Sequence, residues 1–318
     1  MNDKEYFPNF DWFRLLLAIE VVAVHSGVGN FLPVNPVPGF IAISGFVVMG
    51  SLERRPPLHF VASRALRVLP LLFVMFGYIG FRYGFDEMVK NVRYWLWPPG
   101  NELPLNPVVW SLIYEEFCYA LLLVLGLVGA YRWRWLSLVF TALCAGGVLT
   151  SSRWWPPVPP ELCLLGGAFF LGNAMYLYRA ALRRVHPAIA GVVAALAFSW
   201  TFAVPYTSIV RPAVLLQDYL SFAALILLGI AGPRLPRLRL DASYSLYLIH
   251  VLIINEVAWT LGMGLGWHTF LVTLAVALPL CLASWTFIEK PSLSLKPRSR
   301  PAPASTEIGR NAVPVPGE

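Results

Sequence analysis

Charge is scarce in this chain: Asp, Glu, Lys and Arg make up only 13% of its 318 residues, whereas 58% are hydrophobic. Soluble domains carry about 25% charged residues, so a water-soluble globular protein is excluded. Cysteine is sparse too. Cys118, Cys144, Cys163 and Cys281 lie singly inside apolar runs at unrelated spacings. That excludes a disulfide framework and a metal-ligating cluster, and leaves four small buried hydrophobes. No internal repeat is visible, which argues against the repeat-built secondary transporters. A cleavable signal peptide is not expected either. The first apolar run follows the acidic Asp3, Glu5 and Asp11, is too long for an h-region and has no A-x-A-like site. Nor does the basic surplus (net charge +7) point to nucleic acid, because the basic residues sit between apolar blocks rather than on one face.

What is present is apolar chain in blocks long enough to cross about 30 Å of hydrocarbon. With Gly, Pro and charge clusters as punctuation, ten transmembrane helices are expected, near 12–31, 36–52, 66–84, 108–130, 135–151, 161–178, 187–204, 212–231, 243–262 and 268–288. The fold class is therefore an all-α integral membrane bundle. Residues 1–291 form the membrane domain, and 292–318 form a polar, Pro-rich tail expected to be disordered. The Pro- and Trp-rich segment 85–107 suits an interfacial or re-entrant stretch. On this count nineteen of the 24 basic residues share the side of the N-terminus. The positive-inside rule then puts both termini in the cytoplasm.

Ionisable groups inside such spans cost at least ~2.5–3.5 kcal/mol each at the helix centre, so they default to functional candidates. The first span reads FRLLLAIEVVAVHSG over 13–27. Arg14 and His25 are eleven residues, about three turns, apart; they share a face and lie roughly 16 Å from each other along the axis. Glu20 falls on another face and reads as structural. In HFVASRALRVLP (59–70), Arg64 and Arg67 stand one turn apart at the cytoplasmic start of the third span. They can clamp a polyanion such as a pyrophosphate with charge-assisted bonds, or simply anchor the helix at the membrane surface. WSLIYEEFCY (110–119) places Glu115 and Glu116 at the outer end of the fourth span, toward which His25 also points. A histidine and a carboxylate within reach of each other suit proton transfer. In DASYSLYLIH (241–250), Ser243, Tyr247 and His250 line one helix face toward the bundle interior.

Together these stretches resemble the membrane-bound acyltransferase-3 family, bacterial enzymes that O-acylate sugars and glycans. The likeness runs through nearly the whole chain in order. It comprises R-x(10)-H (Arg14, His25), SGF (Ser44, Gly45, Phe46), R-x-x-R (Arg64, Arg67), W-S-L-x-x-E (Trp110, Ser111, Leu112, Glu115), SYSLYLIH (Ser243 to His250) and FIEKP (Glu289, Pro291). Two departures stand out. Ser63-Arg64 replaces a pair of arginines common in the family, and EFCY follows Glu115 where Gln-Phe-Tyr is common, keeping only Tyr119. The chain also ends after the tenth segment, as in the stand-alone subgroup without a hydrolase-like extension.

The resemblance implies an O-acyltransferase in the bacterial cytoplasmic (inner) membrane. It would move an acyl group, expected to be acetyl, from cytoplasmic acyl-CoA to a hydroxyl of a sugar, lipid-linked glycan or polysaccharide outside. Acyl-CoA is then a co-substrate rather than a bound cofactor, no metal is expected, and a separate periplasmic transferase could complete the transfer. Arg14, Arg64 and Arg67 would hold the donor phosphates. His25 would act as general base or take the acyl group transiently, as a neutral imidazole, and Glu115 would orient it or bind the acceptor. Ser44, Trp110, Ser111, Tyr119, Ser243, Tyr247, His250 and Glu289 would support the site. The rival class is a carrier that moves an acyl donor, lipid or sugar without chemistry, since intramembrane Arg and His serve transport as well.

Overall fold

The computed structural model describes residues 6–97, 103–151, 159–203, 208–238 and 240–296, and within them it contains helices and no strand. Each of the ten apolar segments folds as a helix. These are α1 (Asn9–His25), α2 (Pro36–Arg54), α3 (Pro57–Tyr83), α5 (Trp110–Leu127), α6 (Leu136–Thr150), α7 (Pro160–Leu177), α9 (Pro187–Ala203), α10 (Pro212–Ala231), α11 (Ser243–Leu261) and α12 (Trp267–Ser284). Three short helices join them: α4 (Phe85–Leu96), α8 (Arg179–Leu182) and α13 (Lys290–Ser294). Five of the ten begin on proline. A first-turn N–H has no intrahelical acceptor, so the missing donor costs nothing there.

Among the described residues, six helices are long and apolar enough to cross a membrane by themselves: α2, α3, α5 with its leading turn from Pro107, α10, α11, and α12 continued to Ser294. Helices α6 and α9 are apolar but shorter, and α1 has 17 residues. Two other expectations are sharpened. Within 85–107, the chain up to Leu96 is the regular helix α4. Helix α13 runs to Ser294, and the rest of the expected tail, beyond 296, lies outside the described residues.

Helix α4 organises the entry to α5. Its buried Asn91 accepts the Asn106 N–H at 3.0 Å, and its Glu87 accepts the Leu105 N–H at 2.7 Å. The Asn106 side chain in turn donates to the Leu248 carbonyl of α11 at 2.8 Å. These bonds fix where α5 starts and thus the register of every α5 side chain below Trp110.

The tightest helix pair is α2 against α7. A Cβ at Gly45 would collide with the Phe169 carbonyl, and one at Gly172 with the Ala42 carbonyl. Small residues on both helices therefore let the two backbones touch, the usual basis of helix association in lipid. This explains the SGF triplet: Gly45 meets α7, Phe46 is buried in the core, and Ser44 is left for the site. Overpacking a close contact costs about 1–3 kcal/mol. Gly45→Ala is therefore expected to lower the thermal midpoint in detergent clearly. Gly77→Ala, where a new methyl meets nothing within 4 Å, should leave it unchanged. Equal midpoints for the two variants would remove the packing role from Gly45.

Buried apolar clusters form on both sides of α1, one shared with α2, α7 and α10 and another with α11 and α12. A third joins α3, α5 and α11. The polar residues gather where these clusters meet.

Candidate active site

Helices α1, α2, α3, α5 and α11 converge on a narrow cavity of about 70 Å³ that receives Arg14, Ser44, Arg64, Arg67, Ser111, Glu115, Tyr119, Ser243 and Tyr247. Nine of the thirteen residues expected from sequence are thereby brought together. The local reasons are periodic. Arg64 and Arg67 are one turn apart on α3, and Ser111, Glu115 and Tyr119 recur every four residues on α5, so each set faces one way.

The cavity has a cationic wall and a hydroxyl-rich wall. Arg67 donates to Asp241 at 2.5 Å, and Arg14 lies 3.8 Å from the same carboxylate. Asp241 also accepts from the Ser243 hydroxyl at 2.7 Å and from its N–H at 3.3 Å, just ahead of α11. Burial by itself would raise the Asp241 carboxyl. The Arg67 and Arg14 guanidiniums and the Ser243 hydroxyl outweigh that, and hold it well below the usual carboxylate range. The guanidinium of Arg64 lies over the Tyr119 ring, 5.9 Å from its centroid. Opposite, Glu115 accepts from the Ser44 hydroxyl at 2.5 Å and from the Tyr119 hydroxyl. Ser111 and Tyr247 join at 2.7 Å, with Tyr247 donating on to the Val108 carbonyl at 2.9 Å.

His25 does not enter this cavity. It lines a second, wider one of about 570 Å³ together with Trp110, and Val37 lines both. The shared face of α1 thus opens into two chambers, with Arg14 in one and His25 in the other. The histidine ring sits 3.0 Å from His250, Nδ1 to Nε2. Its proton position follows from its neighbours. Nδ1 of His25 is also 3.0 Å from the Val21 carbonyl, which can only accept. Nδ1 of His250 is likewise 2.7 Å from the Tyr247 carbonyl. With neutral rings, both Nδ1 atoms carry protons, His25 donates to His250, and Nε2 of His25 keeps its lone pair.

Two expectations change. The sequence places Glu115 beside His25 near the outer surface. Instead, five residues at 1.5 Å rise carry it about 7.5 Å inward of Trp110, into the arginine cavity, and the ring that meets His25 is that of His250. Glu289, 2% exposed, lies at the end of a π-helical turn, Trp285–Glu289, and accepts from Ser284 at 3.2 Å outside both chambers. Asp241 is a functional residue without a motif of its own; its only sequence signal is an acid two residues ahead of a helix start. Glu20 is structural, as expected: it is buried and accepts the Phe31 and Leu32 N–H groups at 2.9 and 3.1 Å.

The sequence has known relatives. Residues 7–288 match the family described as an acyltransferase domain, the acyltransferase-3 family. The chain belongs to that family. As a family member it is an acyltransferase, and its helices are those of a multi-pass membrane protein. An O-acetyl transferase of Shigella phage Sf6 is 25% identical over 327 residues, covering 88% of this chain and 94% of the relative. Nodulation protein 10 of Rhizobium leguminosarum bv. viciae is 25% identical over 347 residues, covering 91% and 94%. No solved structure matches.

Proposed function

We propose that this acyltransferase is an O-acyltransferase that takes an acyl group, acetyl by preference, from cytoplasmic acyl-CoA and delivers it to a hydroxyl of a sugar or glycan outside the bacterial cytoplasmic membrane. One observation carries the reading: a single helix presents Arg14 to a cationic cavity and His25 to a separate chamber, and Val37 lines both, which supports anion binding in the first and base chemistry in the second. The distribution of basic residues supports ten spans with both termini cytoplasmic, which turns the arginine cavity toward the cytoplasm. The name of the phage relative supports acetyl and an oxygen acceptor.

In this reading Arg14 and Arg64 hold the donor phosphates, and the thioester reaches past Val37 toward His25. Nε2 of His25 removes the proton from the acceptor hydroxyl as its oxygen attacks the thioester carbonyl. The C–O bond forms, the C–S bond breaks, and the departing thiolate of coenzyme A takes the proton from the imidazolium. His250 and the Val21 carbonyl keep the Nδ1 proton in place throughout. Glu115 acts from the donor chamber, where it fixes Ser44 and Tyr119.

Purified protein reconstituted in sealed lipid vesicles, supplied with radiolabelled acetyl-CoA on one side and bacterial surface glycan on the other, tests this. Ester-linked label on the glycan is the expected result. Label that crosses vesicle membranes without entering an ester would establish the carrier instead.

A further inference from the structure

The outer chamber is polar in a way that the known motifs do not explain. Facing His25 and Trp110, helix α10 contributes Gln217, Asp218 and Ser221, and the loop after α1 contributes Asn30. Gln217 is 5% exposed and Asp218 2% exposed. Oε1 of Gln217 and Oδ2 of Asp218 nonetheless have no hydrogen-bond partner, although the Asn35 side chain bonds the Asp218 carboxyl. Two orphaned acceptors in one buried stretch are costly, at about 1–3 kcal/mol each. Such a cost persists where a ligand supplies the missing donors.

The chamber defines what that ligand is. Its volume lies within the ~300–1,000 Å³ of small-molecule sites. An indole offers an apolar face, as sugar rings require, and the two orphans call for donors. No lysine or arginine stands among the described residues that line it, so a phosphate or carboxylate would find no partner and would meet Asp218. We propose that α10 forms the acceptor subsite of this acyltransferase: Gln217 and Asp218 accept hydroxyl protons of a neutral sugar ring laid near Trp110, with the hydroxyl to be acylated turned to Nε2 of His25. Charged sugars, uronates among them, are excluded from this position. The inference deepens the proposed O-acyltransferase reading by naming the acceptor class and the residues that select it.

Binding is measured without any acyl donor, so its outcome is separate from that of the transfer assay. Full-length protein in nanodiscs is titrated with neutral oligosaccharides built on glucose, galactose, mannose or rhamnose, and with glucuronate-based ones, following intrinsic tryptophan fluorescence. At least one neutral oligosaccharide is expected to bind, and the uronates are not. Asp218→Asn and Gln217→Ala should each weaken that binding 10-fold or more while the thermal midpoint holds. Failure of every neutral sugar, equal binding of uronates, or wild-type affinity in both α10 variants would overturn the subsite. Sugar binding with no acyl transfer would sink the enzymatic reading and leave the subsite standing.

Discussion

His25→Ala is expected to abolish glycan acylation while the protein remains in the membrane at its normal level. A positioned general base contributes about 10²–10⁴-fold, and no other imidazole of the site opens toward the acceptor, because His250 is fully buried and spends Nδ1 on a backbone carbonyl. The fold should tolerate the change. His25 lies at the exposed C-terminal end of α1, and its removal leaves one unpaired nitrogen on His250, worth about 1–3 kcal/mol. His250→Phe should do less, since the Val21 carbonyl still holds the Nδ1 proton of His25. Its loss is expected in kcat rather than in the KM for donor or acceptor. Membrane fractions quantified by immunoblot and surface glycan measured by mass spectrometry report level and product together. Normal acylation by His25→Ala would remove this residue from the chemistry.

The sequence was most informative where periodicity alone decides placement. Eleven residues along one helix put Arg14 and His25 on a common face whatever surrounds them, and the two chambers follow that face. The i, i+3 pair Arg64 and Arg67 and the i, i+4 series Ser111, Glu115, Tyr119 converged for the same reason. Depth across helices was harder to read. How far Glu115 lies below the surface depends on where α5 starts, which Asn91, Glu87 and Asn106 settle from distant parts of the chain. The His25–His250 contact spans 225 positions and has no local signature. Gln217 and Asp218 belong to no motif and lie inside an apolar segment, although a Gln-Asp pair within a span is costly enough to flag a site.

The same difference between face and depth separates the two arginines of R-x-x-R, which look alike in sequence. Arg67 is bound to Asp241 at 2.5 Å, so its charge is already answered, whereas Arg64 lies over an aromatic ring beside the cavity. Their substitutions should therefore fail differently. Arg67→Ala strands the Asp241 carboxylate with Arg14 at 3.8 Å. Breaking a buried pair costs about 3–5 kcal/mol, and partial exposure of Asp241 puts this one toward the lower end. Because the folded carboxyl is depressed, the pair's contribution is fully present above the ordinary carboxylate range, near pH 4. It is lost only as pH falls toward the depressed value, so the defect is complete at neutral pH. Thermal midpoints in detergent at pH 7 should fall for Arg67→Ala and recover in the double variant with Asp241→Asn, a non-additive result. Arg64→Ala should leave the midpoint alone and raise the donor KM. Charge-assisted bonds of about 1.5–3 kcal/mol predict roughly 10–100-fold, with acceptor KM unchanged. An unaltered donor KM in Arg64→Ala would return that arginine to membrane anchoring. Were Arg67→Ala as stable as wild type, Asp241 would have another partner at neutral pH, and the division of labour between the two arginines would fail.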